Sequence, residues 1–269
     1  DEFKVTFELR TKVLYGQMKK ALQLLEEMTY RTDFSESKRL KEIISEAKSR
    51  MQMKLNGSGH SVAMSRSMSY FSKLAKFSDE MEGIGYYRFL CDLEEHFDEK
   101  REMLISVFQK ILDYTLCREH LIMSLTADEK GYEVFSEHAE GFLTHIEKKR
   151  TKDKPTADVQ MLDHGAQEGF KYAGQVQYVA RSGNFIKHGH AFHGALHILK
   201  VILGYDFLWN NVRVKGVAYG CMCGFMQTGN AYFVSYRDPN LAETNEIYEK
   251  AYEYVKNFTV TERDMTKYM

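Results

Sequence analysis

The residues best suited to chemistry in this sequence are Arg213, Lys215 and Tyr219, in the run Asn211-Val212-Arg213-Val214-Lys215-Gly216-Val217-Ala218-Tyr219-Gly220. They share parity, so an extended chain projects all three from one face, with Arg213 and Tyr219 about 20 Å apart on an ideal strand. A bend or bulge at Gly216 would bring them closer. An arginine grips peptide carbonyl oxygens with several fixed donors, and a tyrosine hydroxyl donates to a developing oxyanion. On residue types alone, an ordinary exposed arginine and an interfacial tyrosine are the better-supported reading of the run.

Other clusters carry less. His188, His190, His193 and His197 fall close together, and the spacing puts His193 and His197 four apart on an expected helix. A zincin pattern needs Glu directly after the first His, where Gly194 stands; the inverted pattern needs Glu before the second His, where Leu196 stands. No metal site is expected there. Gly216, Gly220, Gly224 and Gly229 lack the Gly-Lys-Ser/Thr of a phosphate loop and imply close backbone approach or sheet twisting. No cysteine has a locally paired histidine, and Cys221-Met-Cys223 lacks the two-residue gap of a zinc or redox pair. No catalytic residue and no cofactor is expected within this chain.

The elements that must position these residues follow from periodicity. Phe3, Val5, Phe7 and Leu9 alternate with polar residues, predicting a half-buried strand. Met18, Ala21, Leu22, Leu25 and Met28 predict a helix. Asp33 and Glu36 have the form of a capping box opening a second helix, whose face is Leu40, Ile43, Ile44, Ala47 and Met51. Asn56-Gly57-Ser58-Gly59 breaks it, and helical spacing resumes over 61–71, 86–116 and 132–146, with a brief strand over 121–125. Further on, Val176, Tyr178 and Ala180 predict one face of a strand and 192–203 a helix. The stretches 217–225 and 232–236 form a hairpin with glycine in its turn. Asp238-Pro239 reads as a helix start, with Leu241, Ile247, Tyr248, Ala251 and Val255 on the buried face. Hairpins with helices packed on one side define an α+β sandwich class.

Size and charge bound the rest. The chain has 269 residues, enough for one large or two medium cores. The charged run Lys148-Lys149-Arg150-Thr151-Lys152-Asp153-Lys154-Pro155 is the best linker, so we expect domains over 1–148 and 166–269 joined by 149–165. Lys+Arg 37 against Asp+Glu 38 leaves a formal charge of −1, which gives no global field for nucleic acid or an anionic membrane. No apolar run approaches the roughly 18–20 residues that span a bilayer. Four cysteines are too sparse for a disulfide scaffold and suggest free thiols in a reducing, cytoplasmic setting.

The segment Tyr205-Asp206-Phe207-Leu208-Trp209-Asn210-Asn211-Val212-Arg213-Val214-Lys215-Gly216-Val217-Ala218-Tyr219-Gly220, followed by Ser235-Tyr236-Arg237-Asp238-Pro239-Asn240-Leu241, resembles the fourth domain of presequence-protease-type zinc metallopeptidases of the pitrilysin and insulysin family. Upstream, Lys38-Arg39-Leu40-Lys41-Glu42-Ile43, Ser58-Gly59-His60-Ser61 and Gly83-Ile84-Gly85-Tyr86-Tyr87 resemble the third domain. The resemblance implies two related α+β sandwich domains, each an antiparallel-rich sheet packed against helices. It also implies a non-catalytic, chamber-forming role in an enzyme that degrades short unstructured peptides, with Arg213 and Tyr219 contacting substrate. The partner would be the N-terminal catalytic half of the same polypeptide, which would hold the zinc through His-x-x-Glu-His. That motif is absent here, so the fragment alone is expected to be inactive, and both its ends are expected to be truncated. An inactive homologue serving as a binding or assembly subunit is the alternative. Val217 stands where the family pattern implies a second glycine.

Overall fold

Helical spacing is realised wherever a buried face can form. In the computed structural model, which describes residues 3–119, 121–144, 146, 159–162 and 167–269, helix α1 (Met18–Tyr30) buries Met18, Ala21, Leu22 and Thr29. Helix α2 (Ser37–Gly57) buries Leu40, Ile44 and Met51, while Ile43 of the expected face is exposed. It ends at the predicted Asn-Gly-Ser-Gly break, where α3 (Gly59–Met68) begins. Then come α4 (Lys73–Glu82), α5 (Ile84–Glu95), α6 (Phe97–Thr115) and α7 (Glu129–Thr144). The chain continues through strand β1 (Ala180–Asn184), helix α8 (Ala195–Ile202) and a wide-turn π-helix, Leu203–Lys215. Strands β2 (Gly220–Phe225) and β3 (Asn230–Tyr236) and helices α9 (Ala242–Lys256) and α10 (Glu262–Met265) complete it.

These elements gather into two compact units. The first comprises Asp1–Phe3, Glu46–Cys91 and Asp158–Met269. It holds a three-stranded antiparallel sheet of order β1-β3-β2. Helix α3 packs on β1 and β3, and the π-helix and α8 pack on β2. Its core joins Val179, Leu203, Phe207, Leu208, Val212, Cys223, Tyr248 and Ala251. The second unit, Lys4–Ser45 and Asp92–Ala157, is helical among its described residues, with α1 packed on α7 and Phe34 against Phe108 at 5.2 Å between ring centroids. The α+β class holds, with helices packed against an antiparallel sheet. Of the expected linker, only 159–162 falls among the described residues.

Several local expectations are corrected. The stretch from Phe3 to Leu14 forms no strand: Val5 and Phe7 are 62% and 55% exposed, and no ladder satisfies the backbone. Alternation is a necessary pattern for a strand, but pairing decides it. Residues 121–125 fail for the same reason, with Ile122 exposed. Asp33 accepts a hydrogen bond from the Ser35 backbone N–H at 2.8 Å, forming a turn ahead of α2 instead of its cap. The helix expected over 86–116 is interrupted at His96, between α5 and α6. Strand β1 begins only at Ala180. The side chain buried just before it is Val179, of opposite parity to Val176 and Tyr178.

A buried charge network fixes the first unit. Arg66 of α3 donates to Asp79 of α4 at 2.8 Å and to Glu168 through two bonds of 2.7 Å. Asp79, fully buried, also accepts the backbone N–H groups of Ile84 at 3.0 Å and Gly85 at 3.2 Å, so it caps the start of α5. The Gly83-Ile84-Gly85 motif is therefore the receptor for a neighbouring helix's carboxylate. The Arg66 guanidinium holds the Glu168 carboxyl below its usual 4.5, against the opposing effect of burial. Because that pKa is depressed on folding, its stabilisation is complete above the unfolded value and is lost as pH falls through the folded one. Chemical unfolding of the 269-residue chain should show Asp79→Ala less stable by about 3–5 kcal/mol, since Arg66 and two N–H groups lose a buried acceptor. Glu168→Gln should lower stability at neutral pH and remove this residue's share of the acid loss expected as pH falls below its unfolded value of about 4.5.

Candidate functional site

The run holding Arg213 and Tyr219 is wound, not extended. Leu203, Phe207, Leu208 and Val212 are all buried, and Leu203 and Val212 lie nine residues apart. On an α-helix that spacing would set them about 180° apart; a wider turn returns them to one side. The Gly216 N–H accordingly bonds the Asn211 carbonyl, five residues back, at 3.0 Å. A side chain at Gly216 would meet the Val212 carbonyl oxygen at 2.6 Å, so only glycine closes this helix. The chain then reverses through Val217, whose φ of 62° lies in the left-handed region. Ala218 N–H bonds the Val212 carbonyl, and Tyr219 N–H bonds the Arg237 carbonyl, both at 3.2 Å.

The reversal brings the two candidate residues together. The Arg213 guanidinium lies 4.2 Å from the Trp209 ring centroid and 5.9 Å from that of Tyr219. Lys215, the third same-parity residue, instead reaches the Asn211 side chain at 3.4 Å. The Tyr219 ring meets Tyr236 edge-on at 5.7 Å. Tyr236 in turn contacts His60 at 4.9 Å and Tyr178 at 5.8 Å, and Arg237 lies over its ring at 5.4 Å. His60 Nδ1 is buried without a hydrogen-bond partner, and burial lowers the pKa of this ring.

The second motif explains itself as the brace of this turn. Ser235 exchanges backbone and side-chain bonds with Val179, and the Asp238 and Gln177 backbones form a bridge. Asp238, fully buried, accepts from Asn240 N–H at 2.9 Å and from the Thr244 hydroxyl at 2.8 Å. The Asn240 amide donates to the Gly216 carbonyl at 2.5 Å. Asp238 is thus not the cap of α9 that the sequence suggested; that helix starts later, at Ala242, and Leu241 and Val255 of its expected face are exposed. The 217–225 strand likewise begins only at Gly220.

The remaining candidates disperse. His193 precedes α8 and accepts from Ala195 N–H at 3.1 Å, so it does not share a helix face with His197. Among the described residues, no group of three or more His, Cys, Asp or Glu could hold a metal. The four cysteines are free; burial pushes Cys221 up to about 11, partly offset by the Arg213 charge, and Cys223 up to about 12. Gly229, at φ 87°, makes the expected hairpin turn, and Gly224 admits the Tyr232 ring. Trp209, Tyr236 and His60 were missed as members of the cluster. Trp209 was legible only if the run was taken as a helix, where a residue four before Arg213 lies beside it.

Residues 1–93 match a family of peptidase-associated domains, and residues 167–269 match the PreP C-terminal domain. Protein HypA of Clostridium perfringens is 35% identical, covering 100% of this chain and 27% of that protein. Presequence protease 1, chloroplastic/mitochondrial, of Arabidopsis thaliana is 29% identical over 96% of this chain and 24% of its own length. The chain thus aligns with the PreP C-terminal domain and with several presequence proteases. Mitochondrial presequence protease of Yarrowia lipolytica adds 28% identity over 86% of the chain and 23% of that protein, so the chain spans about a quarter of the length of the relatives it matches. The expected cytoplasmic setting is overturned, because the presequence-protease relatives are named for mitochondria or for chloroplasts and mitochondria. Free thiols fit any reducing compartment and do not choose among them.

The left-handed Val217 offers a test of the turn in this region. A β-branched residue there costs about 1–2 kcal/mol that glycine does not incur, less the extra freedom glycine has when unfolded. Val217→Gly should therefore stabilise the chain by about 1 kcal/mol in urea unfolding, and Val217→Ala should not reproduce the gain.

Proposed function

We propose that this chain is the substrate-binding, chamber-forming C-terminal part of a zinc metallopeptidase acting on short unstructured peptides, with Arg213 and Tyr219 as peptide contacts. The observation that carries the proposal is how Arg213 is held. Its guanidinium lies over the Trp209 ring at 4.2 Å and over the Tyr219 ring at 5.9 Å, and among the described residues no carboxylate pairs with it. Its N–H donors lie along the edge of the plane and remain available for carbonyl oxygens. The Tyr219 side chain is 65% exposed beside it and carries a hydroxyl able to donate to the same substrate backbone.

In this reading 1–148 and 166–269 are third-domain-like and fourth-domain-like parts joined by 149–165. The zinc belongs to the N-terminal half of the same polypeptide, which is also the principal partner. Among the described residues no group fits a metal, and the contribution proposed here is on the substrate side: Arg213 holds the peptide backbone, and Tyr219 donates toward the oxygen that gains charge. Short peptides remain the substrate class, with neither nucleic acid nor membrane as partner; the formal charge of −1 provides no general attraction for either.

In the full-length protein, Arg213→Ala and Tyr219→Phe should each lower kcat/KM for a quenched fluorogenic peptide, on the order of 10²-fold if the lost donor acts in the transition state. Unchanged values in both variants would remove the assigned roles. A full-length protein that binds peptide through Arg213 yet never cleaves it would support the binding-subunit alternative.

A further inference from the structure

We infer that Trp209 and Tyr236 are positioning residues for the Arg213 and Tyr219 pair, an inference that rests on the peptide-contact reading above. Arginine is a long side chain with about 2 kcal/mol of rotamer entropy, and a half-exposed one without a carboxylate partner has nothing electrostatic to fix it. Arg213 is fixed instead by an aromatic face: its guanidinium is nearer to Trp209, at 4.2 Å, than any other cation in the described residues is to a ring. The indole sets the plane of the guanidinium, and the plane sets the direction of every N–H donor. Trp209 is 42% exposed, so burial alone does not account for a tryptophan here.

Tyr236 does the same for Tyr219. The Tyr219 hydroxyl makes no side-chain hydrogen bond among the described residues, and the residue is 65% exposed. Its ring meets Tyr236 edge-on at 5.7 Å, with the Arg213 guanidinium over it at 5.9 Å. Tyr236 is itself immobilised from α3, through His60 at 4.9 Å, and from the segment before β1, through Tyr178 at 5.8 Å. The Tyr178 hydroxyl donates to the Asn56 carbonyl at 2.7 Å, which anchors the far end of the row. His60, its Nδ1 unpartnered and its pKa lowered by burial, is held by ring packing. The Tyr219 N–H to Arg237 carbonyl bond ties the backbone of the pair to the strand that carries Tyr236.

The test uses the full-length protein and a quenched fluorogenic peptide, with Arg213→Ala and Tyr219→Phe as references. Trp209→Leu and Tyr236→Leu should each lower kcat/KM roughly 10-fold, because a misplaced contact costs rate even when it is retained. Trp209→Phe and Tyr236→Phe, which keep a ring face, should restore most of it. The decisive measurement is the double variant: Trp209→Leu added to Arg213→Ala should change kcat/KM by less than about 2-fold, since the residue acts only through the arginine. Should Trp209→Leu fail to fold, Trp209→Gln, suited to a half-exposed position, replaces it with the same expectations. Full activity in both leucine variants, or multiplicative losses in the double variant, would overturn the inference while leaving the peptide-contact reading intact. Unchanged activity in Arg213→Ala and Tyr219→Phe would instead overturn that reading.

Discussion

Burial of four apolar residues along the π-helix is the constraint on which the rest of the first unit depends. Leu203, Phe207, Leu208 and Val212 must all enter one core, and their spacing permits this only in a helix wider than the usual kind. Once the helix is wound that way, its last turn delivers the chain to Gly216, where backbone meets backbone too closely for any side chain. The reversal that follows is what places Tyr219 beside Arg213. The pairing is thus a by-product of core packing one layer below. A wide helix is intrinsically poor in hydrogen-bond geometry, so it persists because the core on the sheet side rewards it.

The buried polar residues serve the same end by different means. Asp79 and Asp238 are both inaccessible to solvent, and each satisfies donors from a neighbouring loop or helix start. Asp79 has Arg66 to neutralise it; Asp238 relies on neutral donors alone among the described residues. Such groups are costly unless completely bonded, which makes them strict about geometry. Asp238 orders the loop that presents Asn240 to the Gly216 carbonyl, so a buried carboxylate sets the shape of the turn.

Much of this was legible in the sequence, and the exceptions share a cause. The helix Met18–Tyr30, which buries Met18, Ala21 and Leu22 of its expected face but leaves Met28 exposed, and the glycine hairpin at Gly229 were readable because their determinants are local. Phe3 to Leu9 alternates convincingly yet pairs with nothing among the described residues, because ladder partners are not encoded within seven residues. Arg213 and Tyr219 stand out by type and motif, and the sequence admits a bend at Gly216 only as a variant of an extended strand. Their surroundings were misread, since Val-x-Val alternation around Arg213 looks extended until Leu208 is seen to need the same core as Val212. Trp209, Tyr236 and His60 come from three separated stretches, and only folding makes them neighbours.

The wide helix also has a consequence for how this region tolerates changes in length. Each residue of an ordinary helix advances the side-chain direction by about 100°. Removal of a single residue between Leu203 and Lys215 would let the segment relax to ordinary winding while still burying most of its apolar stripe. The protein would remain folded, but the arginine at its end would emerge out of phase with the tyrosine beyond the turn. Insertions and deletions here are therefore a route by which a descendant chain could keep its architecture and separate Arg213 from Tyr219 in one step.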